Sequence, residues 1–293
     1  MSGVLWATAS GIGFGVFQSL NRRAIRGIED PYVSTFLQLA VATAVLVVAS
    51  LVSEDLRQLG EARGDALAIF ALAGIVHFVL GWLLLNVSQA RIGASRTAPL
   101  ITLSPLFGVV LAGVTLGEFP SIAALAAIAP IMLGAWLLAS RGTGGVAIER
   151  DSIFAFGTAF MWALSAVLTV EALKGLHSPL LGVTLGLLAA TAALGGALAA
   201  RGSLGRIRSI ARNTLALKIT AAVLVAFATW FRLLALDETD VAVVLATNLV
   251  SVPITLVLAP LLVGRQLEQV DARVWLGGLL LAAGVLALIA TEG

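Results

Sequence analysis

The stretch GWLLLNVSQARIGASRTAPLITLSP, residues 81–105, is echoed by TWFRLLALDETDVAVVLATNLVSVP, residues 229–253. Three pairs of residues occupy matching places in the two stretches: Trp82 and Trp230, Ala94 and Ala242, and Pro105 and Pro253. A repeat of half the chain with an odd number of membrane spans in each copy places the second copy upside down in the membrane. Inverted repeats of this kind are typical of transporters.

The composition matches a lipid environment. Hydrophobic residues make up 59% of the 293 residues, charged residues only 12%, and the mean hydropathy is +1.04. Soluble domains carry about 25% charged residues, and a soluble helical bundle would need a charged stripe along each helix. Such stripes are missing. The chain contains no cysteine, which excludes disulfides and thiolate metal sites.

Breaks of charge, glycine and proline divide the chain into ten apolar segments. Each has about 20 residues, enough to cross a bilayer core of about 30 Å as a helix. A spanning chain must satisfy its backbone hydrogen bonds within helices or a closed barrel, and the alternation of barrel strands is absent. The segments are 3–21, 32–53, 66–88, 94–116, 119–140, 152–173, 178–200, 214–235, 241–263 and 272–291.

These segments predict an all-α integral membrane protein of ten transmembrane helices in two inverted five-helix repeats. The repeats are residues 1–141 and 152–293, joined by a Gly-rich linker at 142–151. Residues 1–20 lack the basic start and the cleavage site of a secretory signal, so we expect a retained first span.

The basic residues predict the sidedness of the loops. If loops 1–2, 3–4, 5–6, 7–8 and 9–10 share one side, they carry all but four of the 18 Lys and Arg residues. The four exceptions are Arg57, Arg63, Lys174 and Arg232. The positive-inside rule then places both termini outside. The basic stretch 201–218 is interpreted as an anchor for the inner membrane surface.

Several short motifs resemble the EamA-like repeat of the drug/metabolite transporter superfamily. They are ASRTAPL at 94–100, LSPLF at 103–107, LGE at 116–118 and LGAWLL at 133–138. The second half repeats them more loosely at 241–253 and 277–284. It has Gly-Arg-Gln at 264–266 where a Gly-Glu would be expected.

The resemblance implies a basket of ten helices whose central cavity opens alternately to either side, in the inner membrane of a bacterium. Members of the superfamily export or exchange amino acids and, in other branches, sugar phosphates or nucleotide sugars. Family members commonly have cytoplasmic termini, which conflicts with the charge count. The orientation therefore stays open at this point.

Polar side chains within the apolar segments are the candidates for substrate binding, because holding them at membrane depth costs free energy. His77 lies in mid-span, where it could bind a substrate or bond a neighbouring helix carbonyl. Gln18 and Gln38 stand in the first and second spans, and Asn86 ends the third. Gln18 could line an entrance to the cavity.

Aromatic and amide side chains extend this set in both halves. A tryptophan deep in a span can stack on a substrate and donate from its indole N–H, whereas one near a span end is usually an interfacial anchor. Trp162 lies in mid-span. Two further candidates are Trp82 and Trp230, the second paired with Arg232. In the ninth span, Asn248 and Ser251 belong to a polar stripe, and Asn248 is expected to face the cavity.

These residues predict a secondary transporter of small organic metabolites working by alternating access. Neutral polar lining favours amino acids or related compounds; the alternatives are a carrier of phosphorylated or nucleotide-linked sugars, or a passive channel. No Walker motif appears, and two histidines, His77 and His177, do not make a nucleophile with its base or a metal cluster. We therefore expect no enzyme activity, catalytic residue, metal or cofactor. The expected partners are a small-molecule substrate and the lipid bilayer, without nucleic acid, for a monomer.

Overall fold

The computed structural model describes residues 2–101, scattered positions between 103 and 137, and residues 150–239, 241–268 and 270–292. All regular secondary structure within these residues is helical. The predicted linker at 142–151 and the fifth segment lie largely outside the described residues, as does the end of the fourth at 112–116.

Twelve α-helices are described. In chain order they are α1 (Ser2–Ile25), α2 (Pro31–Ser53), α3 (Gln58–Glu61), α4 (Gly64–Gly74), α5 (Trp82–Ile92), α6 (Ala94–Ile101), α7 (Ile153–Leu173), α8 (Pro179–Ala200), α9 (Arg212–Glu238), α10 (Val241–Thr247), α11 (Ser251–Val263) and α12 (Ala272–Glu292). A π-helical turn, Ile75–Gly81, joins α4 to α5, and a 3₁₀ turn, Asn248–Val250, joins α10 to α11.

Five of the helical stretches are long and apolar enough to cross a membrane. They are Pro31–Ser53, Gly64–Ile92, Arg150–Leu173, Pro179–Ala200 and Arg212–Glu238. An all-helical membrane protein is therefore confirmed, while the arrangement as ten spans in two inverted repeats is taken up below as a proposal.

The third predicted span contains a local widening that the sequence did not reveal. The π-helical turn at Ile75–Gly81 interrupts the α-helical ladder between α4 and α5. Such turns insert an extra residue, change the direction of side chains and often occur at functional sites. His77 lies in this turn.

The helices pair reciprocally across the two halves of the chain. The first helix of the first half, α1, packs along α9, the third long helix of the second half. The first helix of the second half, α7, packs along α4 and α5, the third span of the first half. Between them, α2 packs against α8. Each half therefore contributes equivalent helices to equivalent contacts.

The glycines of α1 permit its close approach to the second half. A Cβ on Gly13 would lie 2.9 Å from the Cβ of Ala228, and a Cβ on Gly15 would lie 2.7 Å from the Cβ of Ile254. Small residues at such crossings let helix backbones approach closely in a membrane. Gly13 and Gly15 thus serve helix packing.

The tightest helix crossing joins α4 and α8 and gives a first testable prediction. A Cβ on Gly74 would lie 2.2 Å from the backbone oxygen of Gly186, so no side-chain rotation could relieve the clash. Overpacking costs about 1–3 kcal/mol, and we expect Gly74→Ala to lower the unfolding temperature in detergent by several degrees. Gly196→Ala, also in α8, meets no atom within 4 Å and is the matched control. Equal unfolding temperatures for the two variants would contradict this crossing.

Candidate functional site

A small cavity lies between α1, the π-helical turn, α7, α9 and the start of α11. Five of the sequence-predicted site residues line it: Gln18, His77, Trp162, Asn248 and Ser251. These residues come from both halves of the chain. A cavity at the contact between repeats is where transporters bind their substrates.

His77 is fixed by a stacking contact and by hydrogen bonds to its Nδ1. Its ring lies 5.4 Å from the Trp162 ring at an interplanar angle of 13°. Its Nδ1 lies 3.1 Å from a guanidinium nitrogen of Arg232 and 2.8 Å from Ser165 Oγ. A guanidinium can only donate, so Nδ1 accepts and the ring proton resides on Nε2. That Nε2–H is buried and has no hydrogen-bond partner on the protein.

Arg232 is the cationic member of the cavity lining. Its side chain is buried, and besides His77 it donates to the backbone oxygen of Trp162 at 3.1 Å. The described residues that line the cavity include no carboxylate. The lining is therefore not purely neutral: Arg232, which the sequence placed beside Trp230 among the candidates, adds a positive charge to it.

Two further side chains of the lining have buried polar atoms that lack a hydrogen-bond partner on the protein. Both polar atoms of the Gln18 amide and the indole N–H of Trp162 have none. Asn248 is different, because its amide donates to the backbone oxygen of Val244 and accepts from Ser10 Oγ at 3.2 Å. Leaving buried donors unmatched costs about 1–3 kcal/mol each, so this cavity is suited to a ligand with several acceptor atoms.

The remaining predicted site residues lie outside the cavity lining. Trp82 is fully buried and packs against Phe78 with ring centroids 4.9 Å apart. Trp230 packs in a ring cluster with Phe227 and Phe231. Both indole N–H groups are buried without a partner.

Gln38 and Asn86 belong to a second buried polar group, which is centred on Lys218. The Lys218 ammonium donates to Asn21 Oδ1 and, at 2.8 Å, to Gln38 Oε1. Asn21 Nδ2 donates to Asn86 Oδ1 and to Gln89 Oε1, each at 2.8 Å. Lys218 was counted from the sequence among the loop residues of a surface anchor. That interpretation is wrong, because only 1% of Lys218 is exposed.

A buried ion pair that sequence reasoning missed joins Arg22 to Glu268. The Nε of Arg22 lies 2.7 Å from Glu268 Oε1, and the carboxylate also accepts from the backbone N–H groups of Ala94 and Ser95. Gly93, at φ +84°, permits the approach, since a Cβ there would lie 2.8 Å from Glu268 Oε2. The only signal was an acidic residue two positions beyond the expected Gly-Glu motif.

The loops that carry this ion pair meet at one end of the molecule. Arg91 pairs with Asp151 and Arg206 pairs with Asp30, each at 2.7 Å. The first of these pairs links the end of α5 to the segment before α7, and the second links the connection after α8 to the one after α1. The Arg22–Glu268 pair links the end of α1 to the segment before α12. We call this end the basic face. Gln18 lies one helical turn from Arg22 along α1, so the ion pair lies about one turn from the cavity on the side of the basic face.

The comparisons with known proteins identify a transporter family for the first half. Residues 1–140 match the EamA-like transporter family. The resemblance drawn from the sequence motifs is thereby confirmed for residues 1–140. The proteins that this chain resembles are transporters and not enzymes.

Two plant plastid carriers are similar to part of the chain. One is phosphoenolpyruvate/phosphate translocator 1 of Arabidopsis thaliana chloroplasts, 29% identical over 154 residues, which are 52% of this chain and 34% of that protein. The other is the triose phosphate/phosphate translocator of Brassica oleracea var. botrytis non-green plastids, 27% identical over 52% of this chain and 35% of that protein. The matched segment thus spans about a third of each relative.

A solved crystal structure shares the fold over nearly the whole chain. It covers 98% of this chain and 97% of its own, with a TM-score of 0.61 at 19% sequence identity. Together with its five long apolar helices, the EamA-like first half indicates a multi-pass membrane protein. Neither a bacterial inner membrane nor an amino acid substrate finds support among these relatives.

Proposed function

We propose that this membrane protein, with its EamA-like first half, is a secondary carrier of small organic anions, phosphorylated metabolites first among them. The observation that carries the proposal is the buried Arg232 guanidinium, which lines the cavity with no carboxylate beside it in the described lining. A buried charge costs several kcal/mol unless an opposite charge approaches it. An anionic substrate supplies that charge.

The other groups of the cavity suit an oxyanion as well. The Nε2–H of His77, the amide of Gln18 and the indole N–H of Trp162 are donors without protein partners. Arginine binds carboxylate and phosphate through two parallel hydrogen bonds, and such charge-assisted bonds are stronger than neutral ones. Phe14 adds an apolar wall, with its ring centroid 5.6 Å from that of Trp162. The donors would hold the anionic group, and the aromatic wall would hold the carbon skeleton.

The names of the plastid relatives support the same class of substrate, since each pairs a phosphorylated metabolite with phosphate. An amino acid fits the cavity less well. Its carboxylate would find Arg232, but its ammonium would find no carboxylate among the described lining residues.

For the mechanism we propose alternating access in a basket of ten helices built from two inverted repeats. The reciprocal packing of α1 with α9 and of α7 with α4 and α5 supports this symmetry. In this proposal the Arg22–Glu268 pair is the contact that closes the basic face. Access from that face would require α1 and the loop before α12 to separate.

Counterflow in liposomes tests the function. Purified protein is reconstituted with inorganic phosphate inside, and radiolabelled phosphoenolpyruvate is added outside. We expect saturable uptake that internal phosphate accelerates, because a carrier returns faster when loaded. Uptake of L-amino acids in the same vesicles, with no response to any anion, would overturn the proposal, and flux that does not saturate would identify a channel.

A further inference from the structure

Lys218 is a second buried cation on the inner face of α9. It precedes Arg232 by about four helical turns, which places it roughly 21 Å nearer the basic face on nearly the same side of the helix. The cavity does not include it. Its position between the cavity and the basic face therefore calls for a separate explanation.

The amide groups around Lys218 are oriented by its positive charge. Because the ammonium takes the oxygens of Asn21 and Gln38, their N–H groups point away from it. Asn21 then donates to Asn86, and Asn86 Nδ2 donates to Thr35 Oγ1 at 2.8 Å. Each amide thus accepts a hydrogen bond on the side of Lys218 and directs its own N–H groups away from the ammonium. The cluster consequently has more donors than acceptors.

Several of these donors have no acceptor on the protein. The ammonium has three N–H groups and two described acceptors. The side-chain N–H groups of Gln38 and Gln89 are fully buried and unpartnered. Positive charge combined with unmatched donors is the chemistry of an anion site.

No helix that packs against α9 supplies a carboxylate near Lys218. Neither α2 nor α8 contains a charged residue, and neither does α10. The charges of α1 are Arg22 and Arg23, and the only acid of α7 is Glu171, which is exposed and pairs with Lys174. Among the described residues, the lysine is thus without a counter-ion.

A cleft at the end of α1 and the start of α2 lies beside this cluster. Asn86 lines the cleft and at the same time belongs to the hydrogen-bonded group around Lys218. Ser34, another residue of the cleft wall, is buried and its hydroxyl has no partner. Arg91 lies at the same cleft. Glu29 lines the cleft as well, and Arg91 pairs with Asp151, so the positive charge that would hold an anion is that of Lys218 itself.

From these contacts we infer that Lys218, Asn21, Gln38 and Gln89, here called the Lys218 cluster, form a second anion-binding site. It takes a small oxyanion, either free phosphate or the phosphate group of the transported solute. The inference deepens the proposed function, because a site between the cavity and the basic face would receive the anion as it enters or leaves. It stands apart from the Arg232 site by four helical turns.

The lysine content of the chain allows a direct test. The protein has only two lysines, Lys174 and Lys218, so [15Nζ]lysine labelling gives two ammonium signals, which Lys174→Arg assigns. Full-length protein in lipid bilayers is saturated with inorganic phosphate, and 15N–31P dipolar dephasing is measured by solid-state NMR. We expect dephasing of the Lys218 signal and none of the exposed Lys174 signal. Absence of dephasing at Lys218 would overturn the site.

A near-isosteric variant tests the chemistry without removing the lysine. Gln38→Glu places a carboxylate where Gln38 Oε1 now lies 2.8 Å from the ammonium. The internal ion pair should exclude phosphate, and the dephasing at Lys218 should disappear while the signal itself remains. Unchanged dephasing in Gln38→Glu would refute the role of the cluster. Phosphoenolpyruvate in place of phosphate shows whether the site takes the esterified group, the free ion or both.

The two proposals can fail separately. Phosphate-dependent dephasing at Lys218 without phosphoenolpyruvate counterflow would support the site and refute the proposed transport. Phosphoenolpyruvate counterflow without dephasing at Lys218 would support the proposed transport and refute the second site. Arg232→Gln should leave the dephasing at Lys218 in place, and its loss would show that the two sites are one.

Discussion

Glu268→Ala is expected to lower the free energy of unfolding by about 3–5 kcal/mol, because it leaves Arg22 buried without its counter-ion. The side chains of Arg22 and Glu268 are only 11% and 1% exposed. The variant also removes the acceptor of two backbone N–H groups at the start of α6. Thermal unfolding in detergent, followed by tryptophan fluorescence, measures the loss.

Glu61→Ala is the matched control for this variant. Glu61 is an exposed acid at the end of α3, and its removal should change the unfolding temperature little. In a double-mutant cycle, the variant that combines Arg22→Met with Glu268→Ala should lose less free energy of unfolding than the sum of the losses in the two single variants. The reason is that no lone charge remains buried in the double variant. Equal unfolding temperatures for Glu268→Ala and Glu61→Ala would contradict the buried pair.

The sequence predicted the helical segments well because a bilayer leaves a spanning chain few alternatives. The described helices α2, α7, α8 and α9 begin and end within a few residues of the predicted spans. Their apolar length is set by the membrane thickness and needs no knowledge of tertiary contacts. The inverted arrangement of ten spans was inferred from the repeat and remains a prediction.

The cavity was partly predictable for a related reason. Gln18, His77, Trp162, Asn248 and Ser251 all line it, and each was selected as a polar or aromatic group at membrane depth. Gln38, Asn86, Trp82 and Trp230 satisfied the same criterion but pack elsewhere. Depth along a helix can be read from the sequence, whereas the direction in which a side chain faces depends on the neighbouring helices.

The long charged side chains were the least predictable. Near a span end, lysine and arginine commonly extend to the interface, a rule that fails for Lys218, which the sequence assigned to a surface anchor, and for Arg22. The structure buries them because Asn21, Gln38 and Glu268 supply acceptors from distant parts of the chain. Only tertiary structure brings such partners together.

Arg232→Gln is expected to reduce anion counterflow by about 100-fold or more, since two hydrogen bonds to a charged group contribute about 1.5–3 kcal/mol each. The loss should appear as a raised KM for phosphoenolpyruvate in the liposome assay. Glutamine is uncharged, so its burial costs less than that of the guanidinium and the fold should persist. Arg232→Lys retains the charge without the planar fork and should recover part of the uptake.

Arg206→Gln separates a local role of Arg232 from a general loss of positive charge. Arg206 pairs with Asp30 on the basic face, and 66% of its side chain is exposed. If overall charge attracted the anion, the two glutamine variants would lose uptake alike, and more so at low ionic strength. If Arg232 binds the substrate, only its variant loses uptake, at low and high salt. A wild-type KM in Arg232→Gln would remove the cavity arginine from substrate binding, and with it the argument for an anion.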